Sequence, residues 1–123
     1  MQDFKDLDIW KIAFELNKRI YKVTGSFPPR ETYALSQQLR RASVSISSNI
    51  AEGCGRRTNK DFISYLYNAM GSIKEVESQL LIAKDFNYFA QSTYAELEEE
   101  LNKLGAKLTN YIKYIQGRPE KNV

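Results

Sequence analysis

Apolar residues recur at alternating steps of four and three through four long segments of this sequence. In the first segment the pattern is carried by Ile9, Ala13, Leu16, Ile20 and Val23. This spacing places the residues on one face of a helix and is typical of helices that pack nearly parallel to one another. No segment shows the period of two that marks a half-buried strand. The pattern therefore predicts an all-α protein.

Prolines, glycines and turn residues separate the four segments. The first helix should end before Phe27-Pro28-Pro29, because proline cannot continue a helix. Gly53 and Gly55 suit the end of the second helix, because glycine reaches the left-handed conformation without steric cost. The predicted helices cover about residues 8–24, 31–53, 59–86 and 93–116, followed by a frayed tail at 117–123. We predict an antiparallel up-down-up-down four-helix bundle, a single domain over residues 1–123. Its central core should contain Leu39, Ile46, Leu66, Ile73, Leu101 and Leu108.

The composition argues against several classes of protein. The chain has no histidine and one cysteine, Cys54, so it lacks the commonest general base and the usual ligands of a metal site. It has no glycine-rich phosphate-binding loop. We therefore expect no enzyme activity, no metal and no cofactor. No apolar run approaches the roughly 20 residues needed to cross a bilayer. With no signal-peptide pattern at its start and no possible intrachain disulfide, a soluble cytoplasmic protein is expected.

Positive charge is concentrated in the first half of the chain. Residues 1–60 carry a net charge of +5 and residues 61–123 a net charge of −2. Arginine and lysine bind phosphate oxygens through contacts that ignore base sequence. The alternative is a solvated face that only keeps the protein soluble. The candidate phosphate-contacting residues are Arg40, Arg56, Arg57, Lys60, Lys11, Lys18, Arg19 and Lys22.

A polar row lies beside the apolar stripe of the second helix. Arg41, Ser45 and Asn49 follow one another at four-residue steps, and the third helix offers Ser72 and Glu75 three residues apart. We interpret these residues as a polar cluster centred on Glu75 that fixes the register of the two helices. On this interpretation Arg41→Glu disturbs folding.

The third helix has a second apolar row, formed by Ile63, Tyr67, Met70 and Leu81. This apolar arc is wider than one bundle seam requires. The chain also has eight tyrosines, and four of them cannot all fit in the core of one bundle: Tyr65, Tyr67, Tyr88 and Tyr114. Tyrosines of this kind either stack on nucleobases or line a subunit interface. The surplus apolar surface favours a homo-oligomer.

Three segments carry a resemblance to a known family: DLDIWKIAFELNKRIY, FPPRETYALSQQLRRASVSISSNIAEG and GRRTNKDFISYLYNAMGS. Together with the EVESQL that follows, they resemble the bacterial four-helix-bundle family of 23S rRNA intervening-sequence proteins. That family is similar to the accessory proteins of diversity-generating retroelements. The resemblance implies a homo-oligomer, most simply a pentamer, with nucleic acid (RNA or an RNA–DNA intermediate) and a reverse transcriptase as partners. It implies no catalytic residue.

Two functions remain open from the sequence. The first is a non-enzymatic, oligomeric nucleic-acid-binding protein, with RNA as the expected ligand, that uses a basic surface for sequence-tolerant phosphate contacts. The second is an oligomeric protein-interaction scaffold that touches no nucleic acid. The first requires basic side chains that converge on one surface, and the second requires an exposed apolar groove.

Overall fold

The structure of the protein is a computed structural model that describes residues 2–120. Four α-helices account for most of this range: α1 (Asp8–Thr24), α2 (Leu35–Cys54), α3 (Asn59–Asp85) and α4 (Gln91–Gly117). Short 3₁₀ turns precede α1 at Phe4–Asp6 and α2 at Pro29–Glu31. The described residues form no strand. The predicted all-α four-helix bundle is confirmed.

The four helices surround one apolar core. Each helix packs on the next one in the chain, and α1 packs on α4. The six residues predicted for the central core are all at most 4% exposed. Burying each of these side chains stabilises the fold by about 1.5–3 kcal/mol before entropy is counted. On α1, Ile9, Ala13, Leu16 and Ile20 are buried as well. The heptad spacing therefore identified the buried face of each helix correctly.

The start of α2 differs from the prediction. The helix begins at Leu35 rather than near residue 31, because Pro29–Glu31 form a separate 3₁₀ turn. Ala34 then has a non-helical backbone (φ −124°, ψ −105°) that prevents the turn from continuing into the helix. This break leaves Tyr33 at the surface, 89% exposed. None of the helices in residues 2–120 is both long and apolar enough to cross a membrane.

The segment after α4 is not frayed as far as Glu120, so that part of the prediction is wrong. The Glu120 carboxylate accepts hydrogen bonds from the Asn59 backbone N–H, at 2.9 and 3.1 Å. The Asn59 side chain, 6% exposed, donates to the Arg118 carbonyl and accepts from Arg118 Nε. This segment thus satisfies the first N–H group of α3, which a helix leaves without an internal partner. Residues 121–123 of the predicted tail lie outside the described range.

Small polar side chains join α1 to α2. Ser43 donates to Asn17 Oδ1 at 2.7 Å, and Asn17 Nδ2 donates to Ser47 Oγ at 2.9 Å. Ser47 in turn donates to the Val44 carbonyl. Because the hydroxyls and the amide satisfy one another, the two helices can bury these groups without leaving them unpaired. The network fixes how α1 lies against α2, and the two helices together carry most of the predicted basic residues.

Candidate nucleic-acid interface

One group of predicted basic residues lies where α2 turns into α3. We call Arg56, Arg57 and Lys60 the loop surface; all three are exposed. The Arg56 guanidinium lies 4.6 Å from the centre of the Tyr65 ring and hydrogen-bonds to the Tyr65 hydroxyl. Arg57 and Lys60 make no ion pair with any residue in the described range. Their charges are therefore available to an anionic ligand.

The local backbone explains why this loop stays at the surface. Thr58 caps α3 by accepting a hydrogen bond from the Asp61 N–H at 3.1 Å. Gly55 ends α2 with an ordinary right-handed backbone (φ −83°, ψ −1°), so the expected left-handed glycine is absent at this helix end. Lys60 then falls in the first turn of α3, beside partly positive backbone N–H groups.

The basic residues of α1 divide into two kinds. Lys11, Lys18 and Lys22 share the face opposite the buried stripe and are exposed, although Lys18 is 3.1 Å from the Glu15 carboxylate. Arg19 instead reaches across to α4, with its two terminal nitrogens 2.9 Å from Glu96 and 2.6 Å from Glu100. Its charge is neutralised within the protein. Arg19 therefore joins α1 to α4, and its guanidinium is not available to bind phosphate, contrary to the prediction.

Arg40 lies at the opposite end of α2 from the loop surface, about 20 Å away along the helix axis. Its Nε donates to Thr24 Oγ1 at 2.8 Å, and its guanidinium lies 4.8 Å from the centre of the Tyr21 ring. The eight predicted basic residues thus do not form one patch, although three of them lie together at the loop surface. The structure separates them into the loop surface, a lysine row on α1 and a second basic site around Arg40.

That second site is a groove of about 550 Å³ between the start of α2 and the end of α1, which we call the Tyr33 groove. Its walls include Tyr21, Tyr33, Gln37, Arg40 and Arg41, and no acidic residue lines it. The sequence predicts Arg40 as a phosphate contact and Arg41 as a member of the polar cluster, but it gives no role to the two tyrosines. Gln37 and Arg41 are one turn apart on α2, whereas Tyr33 lies before the helix begins, so no helical spacing predicts that it joins them.

The predicted polar cluster forms only in part. Ser45 and Ser72 hydrogen-bond at 2.9 Å between α2 and α3, and Asn49 Nδ2 donates to the Ser45 carbonyl and hydroxyl at 2.8 and 3.1 Å. Arg41 and Glu75 are both exposed and do not pair with each other. The Glu75-centred cluster is wrong, and with it the expectation that Arg41→Glu disturbs folding.

The physical reason for this error is helix rotation. Each four-residue step turns about 40° around the helix, so a row that reaches the core edge at Asn49 points to solvent at Arg41. On α3, the step from Ser72 to Glu75 turns about 60° away from the core. Residues spaced by four along a helix therefore do not all lie at the same distance from the core.

The chain matches the model of one protein family over most of its length. Residues 5–110 match the model of the 23S rRNA-intervening sequence protein family. The chain belongs to this family. The matched range includes the loop surface, the lysine row of α1 and the Tyr33 groove, and it ends before the Arg118–Glu120 contact. No protein among curated sequences gave a significant match.

A solved structure has the same fold as this chain. It is a protein of unknown function from the S23 ribosomal protein family of Bacteroides thetaiotaomicron, with a TM-score of 0.77 and 24% sequence identity. The alignment covers 85% of this chain and 98% of that one.

Within residues 2–120, no three His, Cys, Asp or Glu side chains come together as a metal site.

Proposed function

We propose that this chain is a non-enzymatic, oligomeric protein of the cytoplasm that binds nucleic acid, with RNA as its ligand. The observation that carries the proposal is the loop surface, where Arg57 and Lys60 are exposed without a carboxylate partner in the described range. Guanidinium and ammonium groups in this setting bind phosphate oxygens. The description of the matched family, which refers to 23S rRNA, supports RNA as the ligand.

The proposed mechanism depends on repetition of a weak contact. One subunit offers few unpaired cations, which support only weak and salt-sensitive binding. A homo-oligomer, with a pentamer as the expected size, presents the loop surface several times to one strand or duplex. The second and later contacts are then intramolecular, and affinity rises through effective concentration without a new contact. Binding of this kind tolerates changes in base sequence, because the contacts are to phosphate.

Lys60→Glu tests the proposal. Lys60 lies in the first turn of α3, where a negative side chain is favourable for the helix, so the substitution does not threaten folding. We expect RNA binding, measured by fluorescence anisotropy at two salt concentrations, to weaken. The slope of log affinity against log salt should become shallower by about 1 for each phosphate that the variant no longer binds. Arg57→Glu should have the same effect.

Lys103→Glu is the matched control, because it makes the same substitution at an exposed position of α4, away from the loop surface and from the exposed apolar row of α3. Like Lys60, Lys103 makes no ion pair with any residue in the described range. We expect this variant to bind RNA with nearly the parent affinity. If Lys60→Glu and Lys103→Glu bind equally well, the loop surface is not the interface.

A protein-interaction scaffold is the second candidate, and one observation favours it. Four large side chains of α3 and its C-terminal end are exposed, between 45% and 58%: Tyr67, Leu81, Ile82 and Phe86. Exposed apolar surface of this kind serves contacts with another protein, and a reverse transcriptase is one partner of this class. A parent protein that binds neither RNA nor DNA at low salt would favour the scaffold.

A further inference from the structure

The Tyr33 groove has the size and composition of a ligand site. Its volume of about 550 Å³ lies within the roughly 300–1,000 Å³ of small-molecule sites. Side chains reach it from α1, from the turn before α2 and from α2 itself. Aromatic rings, guanidinium groups and neutral hydrogen-bonding groups line it together, without a carboxylate. This combination favours a ligand that is both anionic and aromatic.

The two arginines of the groove are held differently. Arg40 is fixed by its hydrogen bond to Thr24, which is 3% exposed, and by its position over the Tyr21 ring. Arg41 is exposed and makes no hydrogen bond or ion pair with any residue between 2 and 120. Its planar guanidinium can therefore bind two oxygens of a phosphate at once. Arg40 adds positive charge and keeps Tyr21 in place.

Tyr33 supplies a stacking surface. Its side chain is 89% exposed, and its ring has no aromatic or cation–π contact with the described part of the chain. A tyrosine left this open contributes little to the bundle. An exposed ring beside a guanidinium is the arrangement with which proteins bind unpaired bases, since the base stacks on the ring and its phosphate pairs with the cation.

We propose that the Tyr33 groove binds an unpaired nucleotide of single-stranded nucleic acid, with its base stacked on Tyr33 and its phosphate bound by Arg41. Gln37 and Ser48 line the same groove and supply hydrogen-bonding groups to the base or sugar. The bases of a duplex are stacked on each other and do not offer a free face. This inference rests on the proposed function and adds to it a preference for single strands at a site separate from the loop surface.

Tyr33→Ala is the first test, with binding of a single-stranded 12-mer RNA and of a 12-base-pair RNA duplex measured by fluorescence anisotropy. We expect single-strand affinity to fall about 5- to 150-fold, the range for removal of one base–aromatic stack. Tyr33→Phe should keep parent affinity, because the ring remains. Duplex affinity should change less than twofold. Arg41→Gln should also weaken single-strand binding and make it less dependent on salt.

Tyr114→Ala is the matched control, because Tyr114 is another exposed tyrosine (60%) but lies on α4, outside the groove and away from the exposed apolar row of α3. It should bind single strands like the parent. Circular dichroism and light scattering on each variant check folding and particle mass. Since Tyr33 makes few contacts, Tyr33→Ala should have the same helix content and the same particle mass as the parent.

The outcomes separate this inference from the proposed function. If Tyr33→Ala and Arg41→Gln bind single strands like the parent while Lys60→Glu weakens binding, the groove inference is overturned and the proposed function stands. A drop in particle mass for Tyr33→Ala with unchanged affinity would make the groove a contact between copies of the chain, which also overturns it. If the parent protein binds neither the single-stranded RNA nor the RNA duplex, both proposals are overturned.

Discussion

Gly53 shows how a single missing side chain sets the distance between two helices. A Cβ atom built there would lie 2.7 Å from Tyr65 Cβ and 2.9 Å from Phe62 Cδ1, closer than such atoms approach in proteins. Gly53 is buried in α2, and both neighbours belong to α3. The glycine is therefore needed for close helix packing rather than for a left-handed helix end. The sequence pattern located the residue correctly but assigned it the wrong physical role.

Gly53→Ala should destabilise the protein by about 1–3 kcal/mol, because the added methyl group forces α2 and α3 apart or displaces the Phe62 ring. Chemical denaturation followed by circular dichroism measures the change. Gly71→Ala is the control, since a Cβ atom there meets no atom within 4 Å. Because Gly71 is exposed within α3, that substitution should stabilise the helix by about 0.5–1 kcal/mol. Equal effects of the two substitutions would contradict the packing explanation.

At the scale of the elements, the N-terminus of α3 is where distant parts of the chain meet. Thr58 caps it from the preceding loop, and Glu120 caps it from beyond α4. The Asn59 side chain joins the two contacts through Arg118. These contacts fix the end of α4 beside the loop surface, so the loop is supported on both sides. A loop held in this way presents its cations without a large entropy cost on binding.

Asn59→Ala should destabilise the protein by about 1–3 kcal/mol, because it leaves the Arg118 carbonyl and Nε without their partner in a partly buried site. Asn68→Ala is the control on the same helix, since Asn68 is exposed. It should change the free energy of unfolding by less than about 0.5 kcal/mol. Thermal and urea denaturation of both variants measure the difference. An Asn59→Ala variant as stable as Asn68→Ala would show that the contact contributes nothing.

At the scale of the whole molecule, the second apolar row of α3 is only partly covered. Ile63 and Met70 are half-buried against the core, whereas Tyr67 and Leu81 of the same row are exposed by 56% and 46%. Water-exposed apolar rows of this kind favour association of subunits. Together with the exposed Ile82 and Phe86 nearby, they support the proposed homo-oligomer.

Light scattering at micromolar concentration should therefore give a particle several times heavier than the 14.2 kDa chain, with five subunits expected. Leu81→Glu should reduce the mass of the particle, because burying an unpaired carboxylate in an interface is costly. Ala95→Glu adds the same charge at an exposed position of α4 and should leave the mass unchanged. A parent particle of 14.2 kDa would refute the oligomer.

Periodicity alone determined the fold and most of the core, because burial of an apolar stripe is a property that each helix carries within its own segment. The same local reasoning placed the breaks between the helices at proline, glycine and turn residues. It also identified the arginines and lysines that reach the surface of the loop, since short polar loops between helices stay in contact with water. These features depend on residues that are close together in the chain.

Only the tertiary structure decided which polar groups meet. Arg19 pairs with Glu96 and Glu100, and Asn17 meets Ser43, through contacts that span at least 26 residues of the chain. Such contacts depend on how far each helix is rotated about its axis and shifted along its neighbour, and a pattern within one helix does not contain either quantity. For the same reason the sequence placed Arg41 inside the bundle, whereas the rotation of α2 places it in an open groove.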